Sequence, residues 1–100
     1  REKFLGTYNT NESCDSGTYT YTLSVSTSST GEDQIVINNF AGLNVSVRAT
    51  VNGQNLTYND TQQGITITGS GSIAGSTMTL IYTGSSGGQT ESCTATCIKQ

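Results

Sequence analysis

The sequence predicts an all-β fold of about eight antiparallel strands that close into an up-and-down barrel. The first observation behind this prediction is an alternation of apolar and polar residues with a period of two. Residues 18–26, for example, read TYTYTLSVS, which is the pattern of a strand with one buried face. The second observation is the set of short turn signals between such runs. Asn52 and Gly53 form the strongest one, because both residue types accept the positive φ of a type I′ turn.

The strand boundaries that these patterns predict are 4–13, 18–26, 34–39, 44–51, 55–59, 64–73, 77–83 and 90–98. Every connection is short, so each strand most simply pairs with the next one along the chain. Closure of such a meander removes the exposed edges that promote aggregation. A two-sheet β-sandwich has a similar pattern and is the alternative. The barrel is favoured because no long crossover connection is evident, and the 100 residues are expected to form one domain, 1–100.

The cysteines bear on closure, because a closed meander places its first strand antiparallel to its last. Pairing Cys14 with Cys93 aligns residues 7–14 with the end of the chain, whereas pairing Cys14 with Cys97 aligns only residues 11–14. We therefore predict a Cys14–Cys93 disulfide, with Cys97 left free and buried. A disulfide favours a location outside the reducing cytosol. Three reduced thiols in the cytosol are the alternative.

The composition argues against several classes of function. The net charge is -3 and only 4 Lys and Arg residues are present, so no basic stripe exists for nucleic acid or an anionic membrane surface. No histidine is present, which leaves no Ser-His or Cys-His pair for nucleophilic catalysis. We predict no enzyme activity, no catalytic residue, no cofactor and no metal site. The acidic residues are interpreted as solvated, although the topology gathers four of them toward one barrel end: Glu12, Asp15, Asp60 and Glu91.

The barrel interior is the first candidate site, since small eight-stranded barrels are either filled by side chains or hold one small ligand. The aromatic residues predicted to face inward are Tyr8, Tyr19, Tyr21, Tyr58 and Tyr82. All but Tyr8 are candidate ligand-binding residues, because tyrosine lines pockets and offers a hydroxyl group. Gly69 and Gly71 share that face and either leave room for a ligand or bend the strand. The filled core is the favoured interpretation.

A second candidate site is the turn at residues 38–43. Phe40 and Leu43 form either an exposed apolar lip for a ligand or partner, or a plug at the barrel end. The plug is favoured. If the two residues form a lip, replacing both by serine is expected to weaken partner binding and to leave stability nearly intact.

Four segments resemble small secreted lipoproteins of Gram-negative bacteria: FLGTYNTNESC at 4–14, INNF at 37–40, GITITGSGSIAGSTMTLIYT at 64–83 and SCTATCIKQ at 92–100. Proteins of that family carry a lipocalin-like β domain after a lipidated leader. The resemblance implies an extracytoplasmic location in the periplasm, in the outer membrane or outside the cell, a lipid anchor upstream of Arg1 as the only membrane attachment, and no assigned activity. It also matches Cys14 and Cys93 to the family's bridge positions, and it has an aromatic residue where this chain has Cys97.

Three functions are compatible with these observations. The leading hypothesis is a non-enzymatic binding or interaction domain of a bacterial surface lipoprotein with an unknown protein partner. The second is a lipocalin-like carrier of a small apolar ligand, which requires a cavity lined by the predicted tyrosines. The third is a small β-barrel protease inhibitor, which requires an extended terminus or a rigid loop. For an inhibitor, deletion of residues 1–4 is expected to abolish inhibition.

Overall fold

The described residues, 2–29, 31–42 and 44–100 of a computed structural model, form a closed eight-stranded antiparallel barrel. Each strand pairs with the next and the last pairs with the first, which confirms the predicted barrel and excludes the sandwich. The strands are β1 (Gly6–Cys14), β2 (Gly17–Thr27), β3 (Gln34–Phe40), β4 (Val45–Asn52), β5 (Asn55–Gln62), β6 (Ile65–Ala74), β7 (Thr77–Ser86) and β8 (Gln89–Lys99). Leu43, named above with Phe40, lies outside the described residues. Within them, no helix is long and apolar enough to cross a membrane.

The barrel closes along the seam between β1 and β8. Cys14 lies directly opposite Cys93 in this register, and the same register pairs Tyr8 with Lys99. The two cysteines form a disulfide, and Cys97 is a free, buried thiol. The predicted pairing and the predicted register are therefore both confirmed. The covalent link holds the first strand against the last at one end of the seam.

The opposite end of the barrel, here called the lower end, carries the two chain termini. The sequence predicts a strand from residue 4, but Glu2–Phe4 form a 3-10 turn and β1 begins only at Gly6. The reason is that Phe4 is fully buried and is anchored by a hydrogen bond of 2.7 Å, which the Tyr8 hydroxyl donates to its carbonyl oxygen. The Lys99 ammonium donates a further bond of 2.8 Å to the Lys3 carbonyl. The first residues therefore close the lower end.

The lower and middle parts of the barrel are filled by side chains. The residues that are at most 1% exposed include Tyr8, Leu23, Ile35, Ile37, Val47, Leu56, Met78 and Leu80. Gly69 and Gly71 leave no empty space there, because a Cβ at Gly69 would collide with the Ile81 carbonyl and one at Gly71 would lie 2.6 Å from the Thr79 carbonyl. Both glycines instead allow β6 to approach β7 closely. The filled core is confirmed for this part of the barrel.

Because the thiol of Cys97 is buried, the free energy of unfolding is expected to fall at alkaline pH. Burial raises the pKa of this thiol from 9.0 to about 11, outweighing the Thr10 hydroxyl, which lowers it. Burial also raises the pKa of Tyr8 from 10.0 to about 12. The folded state therefore holds both protons more tightly than the unfolded state, so this stabilisation is complete below pH 9.0 and is lost as the pH rises through 11 and 12.

We expect Cys97 alone to lower the free energy of unfolding by roughly 2 kcal/mol between pH 9 and pH 11, and the buried tyrosines to lower it further. Urea unfolding across this range measures the decline. The Cys97→Val variant is the control and should show a smaller decline. A free energy of unfolding that stays constant to pH 11 in the parent protein would contradict the assignment.

Candidate functional site

The upper end of the barrel, opposite the termini, is open. Among the residues that the structure describes, β2 pairs with β3 only from Ser24 to Thr27, so the first part of β2 pairs there with β1 alone. The β7–β8 hairpin is also long, and its strands are paired up to Ser86 and Gln89 at its turn. An open cavity of about 740 Å³ lies between the β1–β2 hairpin and the β7–β8 hairpin. We call this cavity the mouth.

The walls of the mouth are mainly aromatic and aliphatic. The apolar residues that line it are Tyr19, Tyr21, Ala41, Ile65, Ile67 and Tyr82, and polar side chains, mostly from the β7–β8 hairpin, line it as well. Gly84 continues the inward-facing line of Leu80 and Tyr82 on β7, and a Cβ built there would meet no atom within 4 Å. Because a side chain is missing at this position, the inner face of β7 ends in open space. The absence of a bulky residue at Gly84 is thus one local cause of the cavity.

A buried carboxylate, that of Glu12, lies at the floor of the mouth. Glu12 is only 4% exposed, and its Oε1 accepts hydrogen bonds from the hydroxyl of Tyr21 at 2.8 Å and from that of Tyr82 at 2.6 Å. Its Oε2 lies 3.2 Å from the Cys14 sulfur, which carries no proton because it belongs to the disulfide. No described residue is therefore seen to donate a proton to Oε2. The interpretation of Glu12 as a solvated residue is wrong.

In the hydrogen-bonded group of Glu12, Tyr21 and Tyr82, the protons stay on the tyrosine hydroxyls. Burial raises the pKa of Tyr21 and of Tyr82, and the hydrogen bond to Glu12 and its negative charge raise both further. A backbone hydrogen bond with Ala41 lowers the pKa of Tyr21, but its effect is smaller. Both hydroxyls are consequently fixed donors to one oxygen of Glu12.

Only two of the predicted ligand-binding residues, Tyr21 and Tyr82, lie in the walls near Glu12. Tyr19 lines the mouth too, but at its rim, where it is 46% exposed and its hydroxyl lies 2.8 Å from that of Ser16. The prediction that Tyr19 is an interior residue is wrong, because no β3 residue pairs with β2 at that height. The alternation of the strand predicted its face but not its depth.

The other two predicted residues, Tyr58 and Phe40, lie beneath the mouth and do not line it. Phe40 is fully buried, and its ring meets those of Tyr82 and Tyr58 edge-on at centroid distances of 4.7 and 5.4 Å. It is a plug and not an exposed lip. The Tyr58 hydroxyl donates to the Ile81 carbonyl at 2.8 Å, with the Ser70 carbonyl at 3.2 Å, so that hydroxyl has its partners within the barrel wall.

The remaining acidic residues of the upper half differ in position. Glu91 lines the mouth. Asp15 accepts a hydrogen bond of 3.0 Å from the Ser92 amide, which links the turn of the β1–β2 hairpin to β8. Asp60 does not line the mouth, because its carboxylate accepts bonds from the amides of Arg48 and Thr61. All four predicted acidic residues therefore lie in the upper half of the barrel, and two of them, Glu12 and Glu91, line the mouth.

Three side chains at this end resemble a set of metal ligands in their spacing but not in their chemistry. Glu12, Cys14 and Cys93 place one ligand atom each within 4.8 Å of one another. The two sulfurs, however, are bonded to each other, and a disulfide offers no thiolate to a metal ion. We therefore do not interpret this trio as a metal site.

The mouth carries negative charge. Glu12 and Glu91 line it, and its described lining includes no lysine or arginine. The Lys99 ammonium lies at the lower end, where it donates to the Lys3 carbonyl. The charges that a ligand would meet in the described part of the mouth are therefore carboxylates.

Fold and site together define a small closed β-barrel with an acidic, tyrosine-lined mouth. Comparison with known proteins finds no match, neither among protein-family models nor among curated proteins or solved structures. The function is therefore argued from the mouth itself.

Proposed function

We propose that this protein is a non-enzymatic binding domain that holds a small ligand in the mouth of its barrel. The observation that carries the proposal is the open cavity of about 740 Å³ with the Glu12 carboxylate buried at its floor. Ligand sites in proteins typically have volumes of roughly 300 to 1,000 Å³, mainly apolar walls and a few fixed polar groups. The mouth meets all three criteria.

The chemistry of the floor suits recognition better than proton transfer. General acid–base catalysis is most effective when the pKa of the catalytic group lies near the working pH. The pKa values of Tyr21 and Tyr82 are instead raised further from neutrality, by burial first and by Glu12 second. The tyrosine hydroxyls hold the Glu12 carboxylate in place, and a fixed acceptor orients a ligand without exchanging protons with it. A binding role is thus favoured over a catalytic one.

We also propose that the domain works outside the cytosol, as part of an envelope or secreted lipoprotein. The Cys14–Cys93 disulfide supports this location, since such bonds persist in oxidising compartments. The resemblance to secreted lipoproteins of Gram-negative bacteria points the same way. The inhibitor alternative gains no support from the N-terminal segment, because Phe4 is buried in the barrel and is not part of an extended arm.

Native mass spectrometry of the non-reduced protein, purified without detergent from its own source, tests the proposal. We expect a mass excess over the bare polypeptide that disappears on denaturation. The small molecule released from the denatured protein would then identify the ligand. A bare polypeptide mass would turn attention to the outer surface and to protein partners.

Filling the mouth provides the matched genetic test. We expect Gly84→Leu to abolish the mass excess, because the new side chain extends into space that holds no atom within 4 Å of the Cβ position. Thr83→Leu, one residue away and exposed on the outer face, is the control and should retain it. A mass excess that survives Gly84→Leu would place the ligand elsewhere and contradict the proposal.

A further inference from the structure

We propose that the mouth selects a small organic cation, namely an ammonium group on a compact apolar body, with the ammonium bound at Oε2 of Glu12. This inference deepens the proposed function and rests on it. The sequence predicted a small apolar ligand without a charged group. The inference adds an ammonium group to that ligand.

The first observation is the free acceptor at the floor. Oε1 of Glu12 already receives two hydroxyl protons, whereas the neighbour of Oε2 is a disulfide sulfur without a proton. A carboxylate that is only 4% exposed loses much of its hydration and needs hydrogen-bond donors in return. Because Glu12 lines the cavity, a ligand can supply the missing donor. An ammonium group offers up to three.

The second observation is the sign of the charge. Glu12 lies at the floor and Glu91 also lines the mouth, with no lysine or arginine among the described lining residues. An anionic ligand would bring a like charge next to a buried carboxylate, which is unfavourable at the low effective dielectric of such a site. A cation gains attraction from the same two groups. The mouth therefore discriminates by charge against fatty acids and other carboxylates.

The third observation is the aromatic wall. Tyr19, Tyr21 and Tyr82 all line the cavity, and the negative face of an aromatic ring attracts organic cations. Ile65 and Ile67 add aliphatic surface on which an apolar body can be buried. A neutral alcohol of the same shape could use these walls and donate one proton to Oε2, but it brings no positive charge that the Glu12 and Glu91 carboxylates attract. The ammonium is therefore the preferred ligand.

Three probes with the same phenyl-ethyl body and different charges test the inference. They are phenethylammonium, phenethyl alcohol and hydrocinnamate, each titrated calorimetrically into the non-reduced protein. We expect phenethylammonium to bind with a dissociation constant on the order of 1 mM, as suits so small a molecule. We expect the alcohol to bind about tenfold more weakly and hydrocinnamate to bind most weakly.

The matched variant is Glu12→Gln, which keeps an oxygen to accept the bonds from Tyr21 and Tyr82 and removes the charge. We expect it to weaken phenethylammonium about tenfold, to the level of the alcohol, and to leave the alcohol nearly unaffected. Glu32→Gln changes the net charge equally at an exposed position and should leave all three affinities unchanged. Thermal unfolding of both variants checks that the barrel is intact.

The outcomes separate the inference from the proposed function. If the alcohol or hydrocinnamate binds as tightly as phenethylammonium and Gly84→Leu abolishes that binding, the mouth is a ligand site but the inference of a cation is wrong. The inference also fails if Glu12→Gln leaves the affinity for phenethylammonium unchanged. If Gly84→Leu leaves the binding of every probe unchanged, the ligand site in the mouth is itself contradicted.

Discussion

Replacing both Cys14 and Cys93 by alanine is expected to lower the free energy of unfolding by roughly 3 to 4.5 kcal/mol. The disulfide joins residues 79 positions apart, so it removes much of the conformational freedom of the unfolded chain. It also clamps the β1–β8 seam, where Cys14 and Cys93 face each other. Since small domains are stable by only about 5 to 15 kcal/mol, the loss would be a large fraction of the total.

Urea unfolding of the double variant measures this effect. Reduction of the parent protein should lower its stability by a similar amount, whereas the Cys97→Ala variant, which keeps the disulfide, should lose no more than about 2 kcal/mol. A double variant within about 1 kcal/mol of the parent protein would show that strand pairing alone closes the barrel.

Replacing Phe40 by alanine is expected to lower the free energy of unfolding by about 3 to 5 kcal/mol, the usual effect of truncating a fully buried phenylalanine. Phe40 has no exposed surface, and it meets Tyr82 and Tyr58 in edge-on contacts. Because Tyr82 donates to Glu12, loss of this plug should also loosen the floor of the mouth and weaken ligand binding.

Chemical denaturation of Phe40→Ala and of Phe40→Leu distinguishes a plug from an exposed lip. The leucine variant retains most of the buried volume and should lose less than about 1.5 kcal/mol. If Phe40→Ala were as stable as the parent protein and merely lost a partner, Phe40 would be the exposed lip that the sequence offered as an alternative.

The fold was largely predictable because one period governs most of the chain. Alternation in 18–26 predicted β2 to within one residue at each end, alternation in 77–83 predicted the start of β7, and the Cys14–Cys93 pairing predicted the closing register. Three boundaries were wrong by two or more residues, namely the start of β1 and the ends of β5 and β7, and two of them have clear physical reasons. The 3-10 turn at Glu2–Phe4 depends on burial of Phe4 in the completed barrel, and the extension of β7 to Ser86 depends on its pairing with Gln89.

The site was only partly predictable. Alternation along β1 places Glu12 on the same face as Tyr8, and this signal could have assigned Glu12 to the interior. Its contacts with Tyr21 and Tyr82, which are 9 and 70 residues away in sequence, depend on how far each strand is staggered around the barrel. Depth within the barrel depends on the same stagger. The sequence pattern therefore predicted the faces of Tyr19 and Tyr58 but not their heights.

The most direct test of a ligand site in the mouth is a titration of phenethylammonium followed by NMR of isotope-labelled isoleucine methyl groups. Ile65 and Ile67 line the mouth, Ile35 and Ile73 belong to the buried core, and Ile81 is exposed on the outer surface. We predict large shifts at Ile65 and Ile67 and small shifts elsewhere. Shifts confined to Ile81 and its outer face, with Ile65 and Ile67 unaffected, would contradict a ligand site in the mouth.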